Sequence, residues 1–286
     1  MKSFIVFFLL SFPFLANCQG LHGDLYAGFA NYQGDLQGKR FTFKNSGPAL
    51  GLGLSYDLTN KLIVRGAATY LKVGADDKDN TTATGITFRN LRFKSNILEA
   101  QLALEYNIFD LAERSFTPYV FAGIAAYHFN PFSEDSLGNR VLLRPLSTEG
   151  QGLPQYPDKK VYNNKQLAIP FGGGVKFVLS EKVQVSIEVG LRKLFTDYLD
   201  DVSTTYADSA FLFASKGQRA VDFAYRGNEI KGAPPYPVAG SQRGNAKNKD
   251  WYYTTGIKLS YLFGGGGGNG GKSSRKNKTG CPVNVY

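Results

Sequence analysis

Apolar and polar residues alternate with a period of two in eight separate stretches of the chain, the pattern of strands with one greasy face. The clearest is 95–107, SNILEAQLALEYN. Leu98, Ala100, Leu102, Leu104 and Tyr106 fall on one face; Glu99, Gln101, Ala103, Glu105 and Asn107 fall on the other. In 49–57, Leu50, Leu52, Leu54 and Tyr56 oppose Ala49, Gly51, Gly53 and Ser55. In 182–195, Val183, Val185, Ile187, Val189 and Leu191 oppose Gln184, Ser186, Glu188, Gly190 and Arg192. Stretches 25–32, 61–73, 119–129, 166–179 and 251–263 complete the set. In 166–179, Pro170 removes one ladder bond, and Gly172–Gly174 permit a bulge or bend. Each stretch has about 9–14 residues, near what a tilted membrane strand needs.

The connections alternate in length. Those at 58–60, 108–117 and 180–181 are short; those at 33–47, 74–89, 130–165 and 196–250 are long. Outer-membrane barrels pair short periplasmic turns with longer external loops. The expected fold is therefore all-β: an eight-stranded antiparallel transmembrane β-barrel with short periplasmic turns and long external loops. An even strand number puts both ends of the barrel in the periplasm. A soluble β-sandwich has no reason to alternate so regularly. Lipid then meets the Leu, Val, Ile, Phe and Tyr face. The lumen receives Glu99, Gln101, Glu105, Lys176, Glu188, Arg192 and Lys258. An eight-stranded lumen is just wide enough for side chains to fill, so this mixed set is expected to neutralise itself as a plug and not to conduct.

Composition and the N-terminus supply the compartment. The chain has 17 Tyr, 22 Phe and 33 Gly but one Met and one Trp, which suits β-structure. No stretch approaches the ~18 apolar residues of a spanning helix. Lys2 precedes an apolar run, Phe4 to Leu15, and Ala16-Asn17-Cys18 places small residues around a cleavage point. Residues 1–18 read as a signal peptide ending at Cys18, and 19–263 as the barrel. Retention of a lipidated Cys18 is the alternative reading. Residues 264–286 form a glycine-rich basic tail expected in the periplasm, with Lys272, Arg275, Lys276 and Lys278 and no acid. Its first eight residues span about 15 Å as a flexible spacer. Once Cys18 is removed, Cys281 is left alone in an oxidising compartment, which makes it an interchain-disulfide candidate. The four cations are the candidate contacts to a polyanionic or acidic partner. The formal net charge of +10 does not indicate nucleic acid, because no nucleic-acid-binding motif accompanies it.

Few residues suggest chemistry. Of the two histidines, His22 precedes the first strand and His128 lies near the outer end of the fifth. Ser133, Glu134 and Asp135 follow His128, but that spacing fixes no catalytic geometry, and an ordinary rim histidine is expected. No Cys/His cluster suggests a metal. Asp200 and Asp201, and Asp76, Asp77 and Asp79, are calcium-ligand candidates only as loops; the second group lacks the glycine and terminal glutamate of an EF-hand. Solvated acidic loops are the expectation for both. The glycine runs lack the Gly-Lys-Ser/Thr ending of a phosphate loop. No enzyme activity and no cofactor are expected.

The residues also resemble a family. Asn31-Tyr32 with Gly34-Asp35-Leu36, Arg89-Asn90-Leu91-Arg92-Phe93, and Pro118-Tyr119 with Gly123 are similar in order and spacing to the PorG-like barrels of the type IX secretion system in Bacteroidetes-type bacteria. So are Thr148-Glu149-Gly150-Gln151-Gly152, Ile169-Pro170-Phe171-Gly172-Gly173-Gly174, and Thr196-Asp197-Tyr198-Leu199-Asp200-Asp201-Val202-Ser203. The resemblance implies a non-enzymatic outer-membrane scaffold in machinery for protein secretion and gliding motility. It implies as partners a periplasmic ring-forming lipoprotein and its associated secretion proteins, beside outer-membrane lipid. An adhesion or ligand-binding barrel using the long external loops is the alternative.

Overall fold

The alternating stretches close on one another. The computed structural model describes residues 20–37, 39, 42–79 and 86–263. The expected signal peptide with Cys18, and the tail with Lys272, Arg275, Lys276, Lys278 and Cys281, lie outside the described residues.

Eight long strands form the barrel: β1 (Leu21–Gln33), β2 (Gly47–Asp57), β3 (Leu62–Asp76), β4 (Arg92–Asn107), β5 (Phe116–Glu134), β7 (Lys165–Val178), β8 (Val183–Leu194) and β9 (Trp251–Phe263). A three-residue strand, β6 (Arg140–Leu142), adds to the outer end of β5. Every pairing is antiparallel between neighbours in sequence, with β6 set aside, and β1 meets β9 from Leu21↔Phe263 to Gln33↔Trp251 to close the cylinder. Closure leaves no free edge in the lipid, where an unpaired backbone group costs several kcal/mol.

The period-two pattern sets the two faces. Leu50, Leu52 and Leu54 are 57, 66 and 56% exposed, whereas Glu99 and Glu105 are 0 and 1% exposed. Leu98, Leu102, Leu104, Val120, Ile124, Leu167, Ile187 and Ile257 continue the outward apolar band. Aromatic side chains border it. Tyr106, Phe116, Phe177, Tyr261 and Phe263 lie toward the short turns, and Phe29, Tyr70 and Phe195 toward the long loops. Such a band between aromatic girdles is what a membrane barrel presents to lipid.

Two strands differ from the alternation alone. β5 runs well past 119–129, because its outer residues pair with β4 and β6 above the apolar band. At about 3.3 Å per residue its nineteen residues reach about 60 Å, longer than the membrane requires. β7 has no bulge: one register with β8 holds from Ala168↔Leu194 to Val178↔Gln184. Its glycines instead make room in the lumen. A Cβ on Gly172 would stand 2.9 Å from the Phe121 ring, and one on Gly174 2.9 Å from the Tyr119 ring.

The lumen has two layers. Toward the outer mouth it is apolar and aromatic: Tyr32, Leu71, Ile97, Tyr127, Phe129, Leu194 and Tyr252 pack with Leu36, Leu199, Val202 and Phe223 from the long loops. Below them the lining is charged.

Candidate functional site

The charged layer is built from inward positions on six strands. Glu105 (β4) accepts from Arg65 (β3) at 3.1 Å, Lys176 (β7) at 2.5 Å and Lys258 (β9) at 2.9 Å. Arg65 also donates to both oxygens of Glu188 (β8), at 2.5 and 3.2 Å, and Tyr119 donates to Glu188 at 2.8 Å. Higher up, Arg192 (β8) meets Glu99 (β4) at 3.0 Å, Tyr252 donates to Glu99 at 2.5 Å, and Arg192 reaches Thr254 at 2.8 Å. Asp24 accepts from Ser260 at 2.5 Å. Arg65, Lys176, Arg192 and Lys258 thus face Asp24, Glu99, Glu105 and Glu188, and the formal charges cancel. The adjoining cavity is about 30 Å³, room for a water or two. Glu99, Glu105, Lys176, Glu188, Arg192 and Lys258 are therefore brought together, and Gln101 lines the same cavity. Arg65 and Asp24 went unread in the sequence. Arg65 stands in a run where small and apolar residues fill both faces, so its phase was visible only from Ile63 and Thr69.

The long loops fold into a cap over the outer mouth. Asp208 caps helix α1 (Ser209–Lys216) by accepting from the backbone N–H groups of Ala210 and Phe211. Gly217, at φ +80°, turns the chain into α2 (Gln218–Ala224). Leu212, Ala220 and Ala224 pack on Leu153. The loop stretches Thr148–Gly152 and Thr196–Ser203 bind each other. Glu149 accepts from the backbone N–H of Ser203 at 2.9 Å, from the Thr204 hydroxyl at 2.6 Å and from Arg243 at 3.0 Å. Thr148 and Tyr162 donate to Asp201 at 2.6 and 2.7 Å. Arg89 grips Asp77 through two bonds, at 2.8 and 2.6 Å, and donates to the Arg243 carbonyl.

These loops are not the solvated acidic loops expected from sequence. Asp77, Asp200 and Asp201 are essentially fully buried; Asp76 and Asp79 stay partly exposed, Asp79 paired with Lys44 at 3.1 Å. The side chains that partner Asp77, Asp200 and Asp201 lie 12 to 168 residues away, so no local pattern announced the burial. Burial pushes the Asp201 carboxyl up to about 6, against the opposing pull of Arg243. Asp197 is pushed up to about 7 by burial and by the charges of Asp35 and Glu149. Asp200 and Asp250 are raised well above the usual carboxylate range by burial and by their mutual repulsion with Asp35 and Asp197. Among the described residues, no three His, Cys, Asp or Glu side chains meet on one point.

The remaining candidates are separate. His128 is exposed on the outward face of β5, while Ser133 is buried on the opposite face and bonded to Arg226 at 3.1 Å. Glu134 is paired with Lys94 at 2.7 Å. His128, Ser133 and Glu134 therefore form no relay. His22 is buried at the short-turn end against Asp57, at 2.9 Å. An external recess of about 660 Å³ lies between the loops beside Lys72, Arg92, Lys94 and Glu134.

A closed eight-stranded barrel with an apolar outer band, aromatic girdles and a charged interior is an outer-membrane β-barrel, and the outer membrane is its location. Residues 1–136 match the family described as Domain of unknown function (DUF6089). Among solved structures, the chain is similar to Neisserial surface protein A (7% identity, TM-score 0.42, covering 85% of this chain and 97% of that one). It is also similar to Ail, the attachment invasion locus protein of Yersinia pestis (10% identity, TM-score 0.40, 86% and 99%). A third is OprG from Pseudomonas aeruginosa (14% identity, TM-score 0.40, 84% and 95%). No curated protein matches the chain.

Proposed function

We propose that the protein is a non-enzymatic outer-membrane anchor, and that it holds a periplasmic type IX secretion assembly through the segment that follows Phe263. The observation that supports this reading is the filled lumen: eight opposed charges and an aromatic layer occupy the space a substrate or solute would need. Both described ends of the chain, Gly20 and Phe263, sit at the short-turn face. That placement of Phe263 supports reading the basic segment that follows it in sequence, with Lys272, Arg275, Lys276 and Lys278, as periplasmic. On the resemblance to PorG-like barrels, its partners are the ring-forming lipoprotein and the secretion proteins associated with it. Lysines and arginine steer the tail to an acidic surface, and Cys281 forms a disulfide with a partner cysteine.

The test uses cells expressing the full chain, a chain ending at Phe263, and Cys281→Ser. The full chain should give a high-mass species on a non-reducing gel, which Cys281→Ser removes. The shortened barrel should insert normally yet lose the co-purifying ring proteins and secretion. If the shortened barrel retains both, while trimming the external loops abolishes function, the loops are the working surface and the anchor reading is wrong.

A further inference from the structure

The outward face of β3, β4 and β5 changes character over a few residues. Cross-strand register places Tyr70, Leu98 and His128 in one row, at the upper border of the lipid band. Two residues further out the row is Lys72, Asn96 and Asn130; next come Gly74, Lys94 and Phe132, then Asp76, Arg92 and Glu134. All share the phase of Leu98 and Ile124, which are 58 and 67% exposed to lipid. At about 3.4 Å per residue each row stands about 7 Å beyond the last. The first cations therefore follow directly on the apolar surface, on the same strands.

These rows line the external recess of about 660 Å³, between the loop at 45–48 and the turn around 133–136. The acids of the recess are already committed. Glu134 is taken by Lys94 at 2.7 Å. Asp135 accepts from the N–H groups of Leu137 and Asn139 in its own turn, at 3.0 and 2.8 Å, with Arg219 at 3.9 Å. Asp76 accepts from the Lys78 N–H at 3.0 Å. Two cations are left over. Arg92 donates once, to the Glu134 carbonyl at 3.4 Å, and its Nε is buried without a hydrogen-bond partner. The Lys72 ammonium lies 5.7 Å from the centre of the Phe132 ring, and the Arg140 guanidinium lies 4.0 Å from the same ring. Among the described residues, Lys72 and Arg92 enter no ion pair, whereas the neighbouring Lys44 and Lys94 do. Unmatched cations in a polar recess select an anion, and the planar fork of Arg suits phosphate.

We propose that this recess holds the phosphorylated head of a glycolipid in the outer leaflet, with Lys72 and Arg92 on the phosphate and the acyl chains on the apolar rows below. Continuity argues for a lipid over a free anion: the recess opens on the long-loop side, and its own strands carry the exposed Leu98 and Ile124 beneath it. Basic pockets at headgroup depth are what anionic lipid heads occupy. Size argues the same way. A volume of 660 Å³ falls among small-ligand pockets, about 300–1,000 Å³, and far exceeds what a bare phosphate fills. The walls add Asn45, Ser46 and Ser136, neutral groups that suit sugar hydroxyls.

The experiment titrates the purified full chain in detergent and counts retained lipid by native mass spectrometry. The probes are lipid A carrying its phosphates, the same lipid A with the phosphates removed, and inorganic phosphate in large excess as competitor. The phosphorylated lipid should be retained at one per chain, the dephosphorylated lipid should bind roughly tenfold or more weakly, and inorganic phosphate should not displace the lipid. Lys72→Gln combined with Arg92→Gln should weaken the phosphorylated lipid by about tenfold or more. Lys193→Gln, at an exposed outward cation on β8 away from the recess, should leave it unchanged. If the double variant does not fold as a barrel, Lys72→Gln alone serves, since Lys72 enters no ion pair that its loss would break. Equal retention of the two lipids overturns the proposal, and so does equal retention by the wild type and the recess variant. Full displacement by inorganic phosphate overturns it as well and leaves a site for free anions.

Discussion

Glu105→Gln removes the charge on which three cations converge while keeping the shape of the side chain. In the native lumen Glu105 takes Arg65, Lys176 and Lys258, all within 3.1 Å and all nearly fully buried. The substitution leaves four cations facing three anions in a space with room for only a water or two. Removing one partner of a buried ion pair costs about 3–5 kcal/mol, because the other charge stays buried and uncompensated. Water has little access to relieve it here, so the full range applies. The assay is urea unfolding of the barrel in lipid vesicles, followed through Trp251, the chain's single tryptophan, which packs edge-on to Phe171 at the outer rim. Adding Lys258→Met to Glu105→Gln restores equal numbers of opposed charges and should recover at least about half of the loss, a coupling expected only between groups in one network. A loss below about 1 kcal/mol, or effects of the two changes that simply add, would refute the neutral-plug reasoning.

Other consequences follow from the cap and the lumen. Asp197 and Asp201 have carboxyls raised by folding to about 7 and about 6, so the stability they contribute is complete below about pH 4 and is lost as pH rises through 6 to 7. Asp35, Glu149 and Lys249 bear on Asp197, and Arg243 and Glu149 on Asp201. The external loops should be cleaved faster by protease at pH 8 than at pH 5; a rate that falls or stays flat contradicts this. Gly174→Val places a side chain whose Cβ lies 2.2 Å from the Ile187 carbonyl oxygen and 2.9 Å from the Tyr119 ring. It should lower stability by about 1–3 kcal/mol, read as a drop in the temperature at which the barrel unfolds on a gel; an unchanged temperature counts against the packing described. His128→Ala touches only an outward, exposed position and should shift stability by no more than ~0.5 kcal/mol. Loss of a lipid-hydrolysing activity in that variant would contradict the non-enzymatic reading.

The barrel was legible because membrane strands write their geometry locally. Leu98 to Tyr106 alternate without interruption, and lipid on one side with charge on the other leaves one phase possible. The short and long connections then ordered the strands without any tertiary information. The lumen charges were legible where the opposite face was plainly apolar, as for Glu188 and Arg192, and not where small residues blurred the phase, as at Arg65. The cap was illegible for a different reason. Glu149 is satisfied by Ser203, Thr204 and Arg243, fifty-four to ninety-four residues away, and Tyr32 reaches Asp200 across 168. An acidic loop and a buried carboxylate cluster look the same until the chain closes. The helix over Ser209–Lys216 had a local signal in Asp208 ahead of an apolar run, but it sits inside a connection of more than fifty residues.

The account's central claim is that the barrel seals its own lumen and serves as an anchor. Planar-bilayer recording of the purified full chain tests that claim most directly. With the Glu105 and Glu99 networks intact, the protein should insert and give no stable, large conductance at neutral pH. Long-lived conductance steps from the wild-type chain would show an open path through the charged layer and contradict it.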